Sequence, residues 1–511
     1  MTRRRVVVVG SGAAGLSAAI GAAAGGAEVV VLEADETVGG TTALSGGVVW
    51  IPASDAMERA GIKDSPSEAR RYLRGLVTGD ADDHLLDTFT SDAGRVASAI
   101  EKQTPLQWEV LTGWPDYRGE VPGALTGGRS LWPRTLSLGA DIEARIHAAP
   151  DQPGPPGKGD DPAAGPISDG VVFRGPVRGR ALVAGLLAGA AGAGVEVRTR
   201  SRVTGLVHRG DDVVGVQVGD DVFEGRVVLA TGGFQHDPAL VATHFHGGPV
   251  AAMGTPRCAG DGLRLALSVD AAVGNMDEGW WMPAVHIPGE GFDGVAYYRP
   301  LHSERASPGA IMVDGNGRRF VNEAQNYGDV GRAMIRSRRP CWLIFDARCR
   351  RHYPVGPLDP DDPDPLWLHR ADGLVALAGL VGVASDILGA TVATFNDGAR
   401  RGQDPEFGRG SLPYDLWIGD PSAPHPTLAS LEAGPFYAIE VHLGCMGTKG
   451  GPRTDDRGRV LSARGSVLSG LYAAGNVAAN PFGAATPAGG GTLGPALVFG
   501  YRAGEAAAGD R

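Results

Sequence analysis

Runs of valine broken by glycine turns set the first pattern along the chain. Val6–Val9 is an uninterrupted β-branched run that stops at Gly10, the pattern of a strand buried on both faces. Ala13 to Ala24 supplies small, mostly apolar residues at helical spacing, and Glu28–Leu32 repeats the buried-strand pattern. Strand, helix and strand in such quick succession predict a βαβ unit opening the chain. Two helices with charged and apolar faces are expected within residues 66–103. Residues 150–170 are aperiodic and rich in Pro, Gly and Asp, which predicts a surface loop.

A helix is expected from Arg178 to Gly192, followed by short Val-rich strands at Val195–Val197, Val203–Val207, Val213–Val218 and Val222–Leu229. Such a series predicts a β-meander that returns to a parallel sheet. Residues 276–440 change character, with tryptophans, prolines and mixed short elements. Glycine punctuation returns at 444–451 and 470–504, where a strand at Gly470–Ala474 feeds a glycine-rich loop and then a helix from about Gly494. Residues 1–275 and 441–511 are therefore expected to form one discontinuous domain, with 276–440 inserted as a second.

Composition narrows the class. At 511 residues the chain exceeds one ordinary core, and 43% hydrophobic with 21% charged residues is the balance of a globular protein. A net charge of −11 without a Lys/Arg stripe argues against a nucleic-acid partner. No stretch of 18 apolar residues escapes glycine breaks and charges, so no transmembrane segment is expected. The four cysteines stand far apart without a C-x-x-C, which suggests neither zinc nor a disulfide framework. Redox work would then fall to a cofactor in a reducing, cytoplasmic setting. No metal site is expected; His244 and His246 read as a solvated loop, and Trp280-Trp281 as packing at a domain junction.

Gly10-Ser11-Gly12-Ala13-Ala14-Gly15 lies between a strand and a helix, where the pattern has a mechanical meaning. Gly10 permits the tight turn, Gly12 lets a pyrophosphate approach the backbone, and Gly15 lets helix and strand pack closely. Ala14 belongs to the same helix start, whose free N–H groups face the phosphates. Glu33 ends the second strand, where a carboxylate can take the adenosine ribose hydroxyls. A second glycine-rich segment with Gly40, Thr41, Thr42, Ser45, Gly46 and Gly47 follows at once. It suits a cofactor longer than one mononucleotide half, so FAD is expected rather than NAD. No second G-x-G-x-x-G follows a strand, so a nicotinamide reductant is not expected.

Three segments are similar to FAD fingerprints of the fumarate reductase/succinate dehydrogenase flavoprotein superfamily: Gly39–Gly47, Ala230–Phe234 with Thr231 and Gly232, and Gly470–Asn476. Within it the chain most resembles the 3-ketosteroid Δ1-dehydrogenases. The resemblance rests on Trp114-Pro115-Asp116-Tyr117, Gly260-Asp261-Gly262, Trp280–Pro283, Arg319-Phe320-Val321-Asn322-Glu323, Trp342–Asp346, Gly447–Gly451 and Gly494-Pro495-Ala496. It implies an α/β fold: a Rossmann-like FAD-binding domain, of parallel sheet plus β-meander, carrying an inserted α+β catalytic domain. It places Asn476 near the ribityl chain and adds Gly475, Val203, Gly491 and Leu493 to the cofactor residues. Covalently flavinylated members carry a histidine in the segment matching 41–47; this chain has none, so the FAD is expected to be non-covalent.

The implied reaction removes two neighbouring hydrogens next to a ring ketone, one as a proton and one as a hydride. A hydrogen α to a ketone yields only to a nearby base with the carbonyl oxygen polarised. The resemblance makes Tyr327 the base and Tyr117 its helper, since a phenol near pKa 10 needs a donor to favour phenolate. It makes the Gly490 N–H the donor to the ketone. Thr486 departs from the family, whose tyrosine there helps hold the ketone oxygen; the shorter threonine hydroxyl either reaches that oxygen through water or leaves room for a differently shaped, non-steroid ring ketone. Tyr297-Tyr298 either line this pocket or pack as core aromatics. The expected partners are a hydrophobic ketone and an external electron acceptor, quinone-like or unknown. An ene-reductase working the same site backwards, or a flavin carrier without catalysis, are the competing readings.

Overall fold

The computed structural model describes residues 4–134, 140–147, 177–246 and 248–510. The surface loop expected at 150–170 lies outside the described residues. The valine runs form the middle of a six-stranded sheet. Arg5–Val9 lies between Glu28–Leu32 and Arg226–Leu229, with Val7 level with both Val30 and Val227. Glu196–Arg198 and Val467–Ala473 extend it in parallel on either side, and Arg459–Leu461 adds an antiparallel edge.

Both faces of this sheet are covered, which is why its strands are apolar without alternation. Val6 and Val8 pack toward helices, and Val7 and Val9 toward the meander side. The helical face holds Ala13–Ala24 and the C-terminal helix Leu493–Gly509. These two helices touch backbone to backbone: a Cβ at Gly504 would lie 1.9 Å from the Ala18 carbonyl oxygen. Ser17 donates to the Leu497 carbonyl at 2.7 Å across the same contact. The small residues of both helices are there to allow this approach, and it ties the two ends of the chain into one layer. The helices expected in 66–103 run from Pro66 to Leu76 and from Asp83 to Gln103.

The strand expected at Val222–Leu229 is two strands in two sheets. Asp221–Glu224 completes a three-stranded antiparallel meander with Gly205–Arg209 and Asp212–Val218, whereas Arg226–Leu229 joins the parallel sheet. Gly225 makes the switch at φ +148°, where a Cβ would lie 2.8 Å from the Arg5 carbonyl oxygen. The strand expected from Val203 starts at Gly205, and Val203 itself lines a cleft described below.

The inserted layer is a seven-stranded sheet whose spine is Phe436–Thr448. This strand pairs antiparallel with Gly279–Phe292 on one side and with Cys341–Asp346 on the other. The division expected between residues 440 and 441 therefore falls inside a strand. Trp280 packs into the core beneath the parallel sheet and Trp281 into the core of the second sheet, so adjacent tryptophans join the two layers.

Candidate active site

A long cleft runs over the carboxyl ends of the parallel strands, enclosing about 1280 Å³ of atom-free space that is partly open to solvent. Gly10, Gly12, Ala14, Glu33, Gly40, Thr41, Thr42, Ser45, Val203, Thr231, Gly232, Gly475, Asn476 and Leu493 all line it. Gly15, Gly46, Gly47 and Gly491 do not. Gly15 serves the packing instead, since a Cβ there would lie 1.9 Å from the Gly10 carbonyl oxygen. Glu33 is buried at the cleft wall, where its carboxylate accepts from the Ser11 N–H and hydroxyl and from the Asp35 N–H.

Two helix N-termini open onto this cleft. Gly12 precedes the first helix and Thr492 the last, neither capping it with its own side chain and neither followed by an acid in the first turn; at the first helix the Ala13 N–H donates to the Thr42 hydroxyl at 3.0 Å. Uncapped N–H groups at the positive end of a helix bind anions and electron-rich oxygens. Thr231 Oγ1 is buried on the same wall without a partner among the described residues. Two anion-binding helix ends, an acid and an orphaned hydroxyl along one extended cleft fit FAD. Ser201, Arg202, Thr255, Arg257 and Cys258 also line it, residues that sequence reasoning missed. A signal for the last three lay in the neighbouring Gly260-Asp261-Gly262 turn.

Beside the cleft, segments far apart in sequence converge on an apolar cluster containing Tyr117, Tyr327 and Tyr414. Met446 lines the cleft and also packs on this cluster, so the two adjoin. The Tyr117 and Tyr327 rings meet edge to face at 5.5 Å, and Tyr117 and Tyr414 at 4.4 Å. His302 stands 5.9 Å from Tyr327, ring to ring. Tyr298 packs against this cluster, whereas Tyr297 takes the Arg299 guanidinium over its ring. Tyr414 and His302 had no motif to announce them.

Tyr327 is the first residue of the helix Tyr327–Arg336, capped by the Asn326 side chain. A phenolate would there meet the positive helix end. The turn before it is held by a buried ion network: Arg319 bridges Glu323 and Asp404, each at 2.8 Å, and Arg409 reaches Glu323 at 3.2 Å. Asn322 donates to Asp415 at 2.8 Å. The Arg-Phe-Val-Asn-Glu run is thus a clamp that aims Tyr327. Asp116 anchors Tyr117 in the same way, accepting from Trp50, Leu125 and Arg129.

Thr486 and Gly490 sit on a loop fixed from several sides. The Tyr72 hydroxyl and the Tyr117 N–H donate to the Pro487 carbonyl at 2.7 and 2.9 Å. The Ser130 hydroxyl donates to the Gly489 carbonyl at 2.8 Å, which orients the peptide bearing the Gly490 N–H. Lys449, wholly buried, donates to the carbonyls of Ala484 and Ala485 and lies 4.1 Å from the Trp280 ring centre. Burial holds its amine well below the ordinary lysine range. Thr486 faces the helix of Tyr327: a Cβ at Gly328 would lie 2.8 Å from its hydroxyl oxygen.

Burial raises the Tyr327 phenol above its usual value, opposed by the Tyr117 hydroxyl and the Arg305 guanidinium. Tyr117 is pushed well up by burial and by its two tyrosine neighbours, and its hydroxyl makes no hydrogen bond among the described residues. The two phenols act on one another through the low-dielectric interior, at a range longer than a hydrogen bond. Burial and then Arg305 hold the His302 imidazole neutral, down to about 3. The arrangement can take a proton at Tyr327 and offer a fixed N–H to a carbonyl oxygen, next to a dinucleotide cleft.

The model of the FAD binding domain family matches residues 5–493. The chain is 36% identical to 3-oxosteroid 1-dehydrogenase of Mycobacterium tuberculosis, over 98% of this chain and 97% of that protein. It is 37% identical to 4-oxocyclohexanecarboxylate 2-dehydrogenase of Sinomonas cyclohexanicum, over 99% and 92%. The crystal structure of 3-ketosteroid Δ1-dehydrogenase from Sterolibacterium denitrificans, in complex with 1,4-androstadiene-3,17-dione, superposes with a TM-score of 0.91. It has 33% identity and full coverage of both chains.

Proposed function

This chain belongs to the FAD binding domain family, alongside the 3-ketosteroid Δ1-dehydrogenases, and from that premise we propose that it oxidises a ring ketone to its α,β-unsaturated ketone. It is an FAD-dependent oxidoreductase acting on CH–CH groups, with a 3-ketosteroid as the first substrate class. The observation that carries this reading is the contact of Tyr327 and Tyr117 beside a loop whose Gly490 N–H is pre-set, in a cluster that shares Met446 with the cofactor cleft. The glycine turns at Gly10–Gly12 and Gly475, with Glu33, would hold FAD, which when bound would supply the two-electron, hydride-accepting chemistry.

The protein's own groups do the rest. The Gly490 N–H donates to the ketone oxygen and favours enolate character, a contribution that preorganised donors make at little reorganisation cost. Tyr327 takes the α-proton on its phenol oxygen, and Tyr117 disperses the negative charge from which that step begins. The apolar cluster keeps water from the reacting carbons. FAD is held non-covalently: residues 41–47 include no histidine, and burial keeps the Cys258 thiol of the cleft protonated, so it is a poor nucleophile. Electrons leave to an external, quinone-like acceptor. Among the described residues no helix is long and apolar enough to cross a membrane. Cytoplasmic residence, with four free buried thiols, is part of the proposal.

A second substrate class has its own support. Thr486 replaces the tyrosine expected at the ketone, and a relative of 37% identity is a 4-oxocyclohexanecarboxylate 2-dehydrogenase. A single small ring, without a steroid's further rings, is therefore tested beside the steroid. Anaerobic addition of 3-ketosteroids and of 4-oxocyclohexanecarboxylate should bleach the flavin for one class and yield the unsaturated ketone. A flavin that stays oxidised with every ring ketone would remove the proposal. Acid precipitation should leave all the yellow colour in the supernatant.

A further inference from the structure

Most buried guanidiniums of the second layer are matched by carboxylates. Arg319 pairs with Glu323 and Asp404, and Arg409 with Glu323, all four side chains nearly inaccessible. Arg305 is the exception. It is fully buried, yet no carboxylate lies within ion-pair distance of it among the described residues. Its Nε donates to the Leu301 carbonyl at 3.2 Å and its Nη1 to the carbonyls of Gln325, at 2.7 Å, and Glu323. Its Nη2 is buried without any acceptor. An uncompensated buried cation is costly, and a protein retains one where its charge has a use.

Its position shows what the use is. Glu323 and Gln325 belong to the turn that delivers Tyr327, and Leu301 precedes His302, whose ring faces Tyr327. We propose that Arg305 is a positioning residue whose unneutralised charge sustains the Tyr327 phenolate while its carbonyl contacts aim the ring. This rests on the assignment of Tyr327 as the base.

Among the surrounding groups, Arg305 is the cation whose charge bears on Tyr327. Tyr327 faces Tyr117, His302 and, through Gly328, Thr486; Tyr414 stands behind Tyr117. His302 is held neutral. Asp329, on the same helix, is engaged by Arg118 and Arg332. Glu323 faces Arg319 and Arg409, Asp415 takes bonds from Asn322 and Gly410, and the Glu304 carboxylate accepts from the His302 backbone N–H. Arg305 opposes the burial that raises all three tyrosines.

The test compares Arg305→Gln and Arg305→Lys in the FAD-loaded enzyme, each alone and combined with Tyr327→Phe. Tyrosinate ultraviolet absorbance, taken as the difference from the matching Tyr327→Phe protein, reports Tyr327 alone. Glutamine keeps two donors for the carbonyls but removes the charge. It should raise that titration, and the rising limb of kcat/KM, by about one pH unit or more. Lysine, which keeps the charge, should move both by much less. A glutamine variant that titrates like the parent overturns the proposal, and so does a lysine variant displaced as far as the glutamine one. Arg305→Met serves as the neutral form should glutamine not fold. Full activity in Tyr327→Phe alone would instead remove the base assignment, an outcome the absorbance titration keeps separate.

Discussion

The cofactor cleft and the tyrosine cluster adjoin, yet they are built on opposite principles. The cleft is made largely of backbone: two helix N-termini without an acid in the first turn, and glycine turns where a Cβ would collide with a carbonyl. The cluster is made of side chains brought from residues 117, 302, 327, 414 and 486, each aimed by polar anchors elsewhere. Backbone sites depend on spacing along a short segment, whereas side-chain sites depend on the whole fold. Damage should differ accordingly, in kind as well as in size.

The largest effect is expected at Gly15. Any side chain there must displace the Gly10 carbonyl, 1.9 Å from the new Cβ, and so opens both the helix–strand contact and the phosphate turn. Gly15→Val should yield protein without bound FAD, read from its visible spectrum and by thermal unfolding. A yellow, stoichiometric Gly15→Val would break the contrast, because the turn would then not require glycine.

Tyr327→Phe should do the reverse, keeping FAD and losing at least about two orders of magnitude in rate, the scale of a positioned base. Tyr117→Phe should cost less and act through pH. The phenolate is the working form, so activity rises with pH toward the Tyr327 pKa, which burial already sets above its ordinary value. Tyr117 opposes that rise, so removing its hydroxyl should move the rising limb of kcat/KM to higher pH. A limb that stays in place would mean the two rings only pack.

This contrast also governs what could be read in advance. Gly10–Gly15 and Glu33 lie in one short stretch with fixed local meaning, so both the fold and the cofactor cleft were legible there. Val222–Leu229 was misread as one strand because periodicity carries no sign of Gly225, where two sheets part. Tyr117 and Tyr327 emerged through family resemblance, and no local pattern joins them. Arg305, His302 and Tyr414 were invisible because their meaning is a tertiary contact that no local pattern marks: Arg305 and His302 meet the turn and ring of Tyr327, and Tyr414 meets Tyr117 from far along the chain. Lys449 was flagged only as part of a motif; its bonds to Ala484 and Ala485 depend on the second layer docking on the first.

The smallest expected effect is the one that joins the two regions. Thr486 follows the backbone held by Lys449, yet its side chain faces the helix of Tyr327 at Gly328. A phenol at this position would extend from a rigid loop over the ketone end of the site. Thr486→Tyr should therefore favour a flat 3-ketosteroid and disfavour a substrate that uses the present room. Overfilling a packed site costs about 1–3 kcal/mol, so the kcat/KM ratio of steroid to 4-oxocyclohexanecarboxylate should move about tenfold or more. The Gly490 N–H stays fixed by Ser130 through the Gly489 peptide, so FAD content and the pH limb should not change. If the ratio holds still while both substrates are turned over, residue 486 lies outside the ketone's reach. The cluster alone would then set specificity, without help from the C-terminal loop.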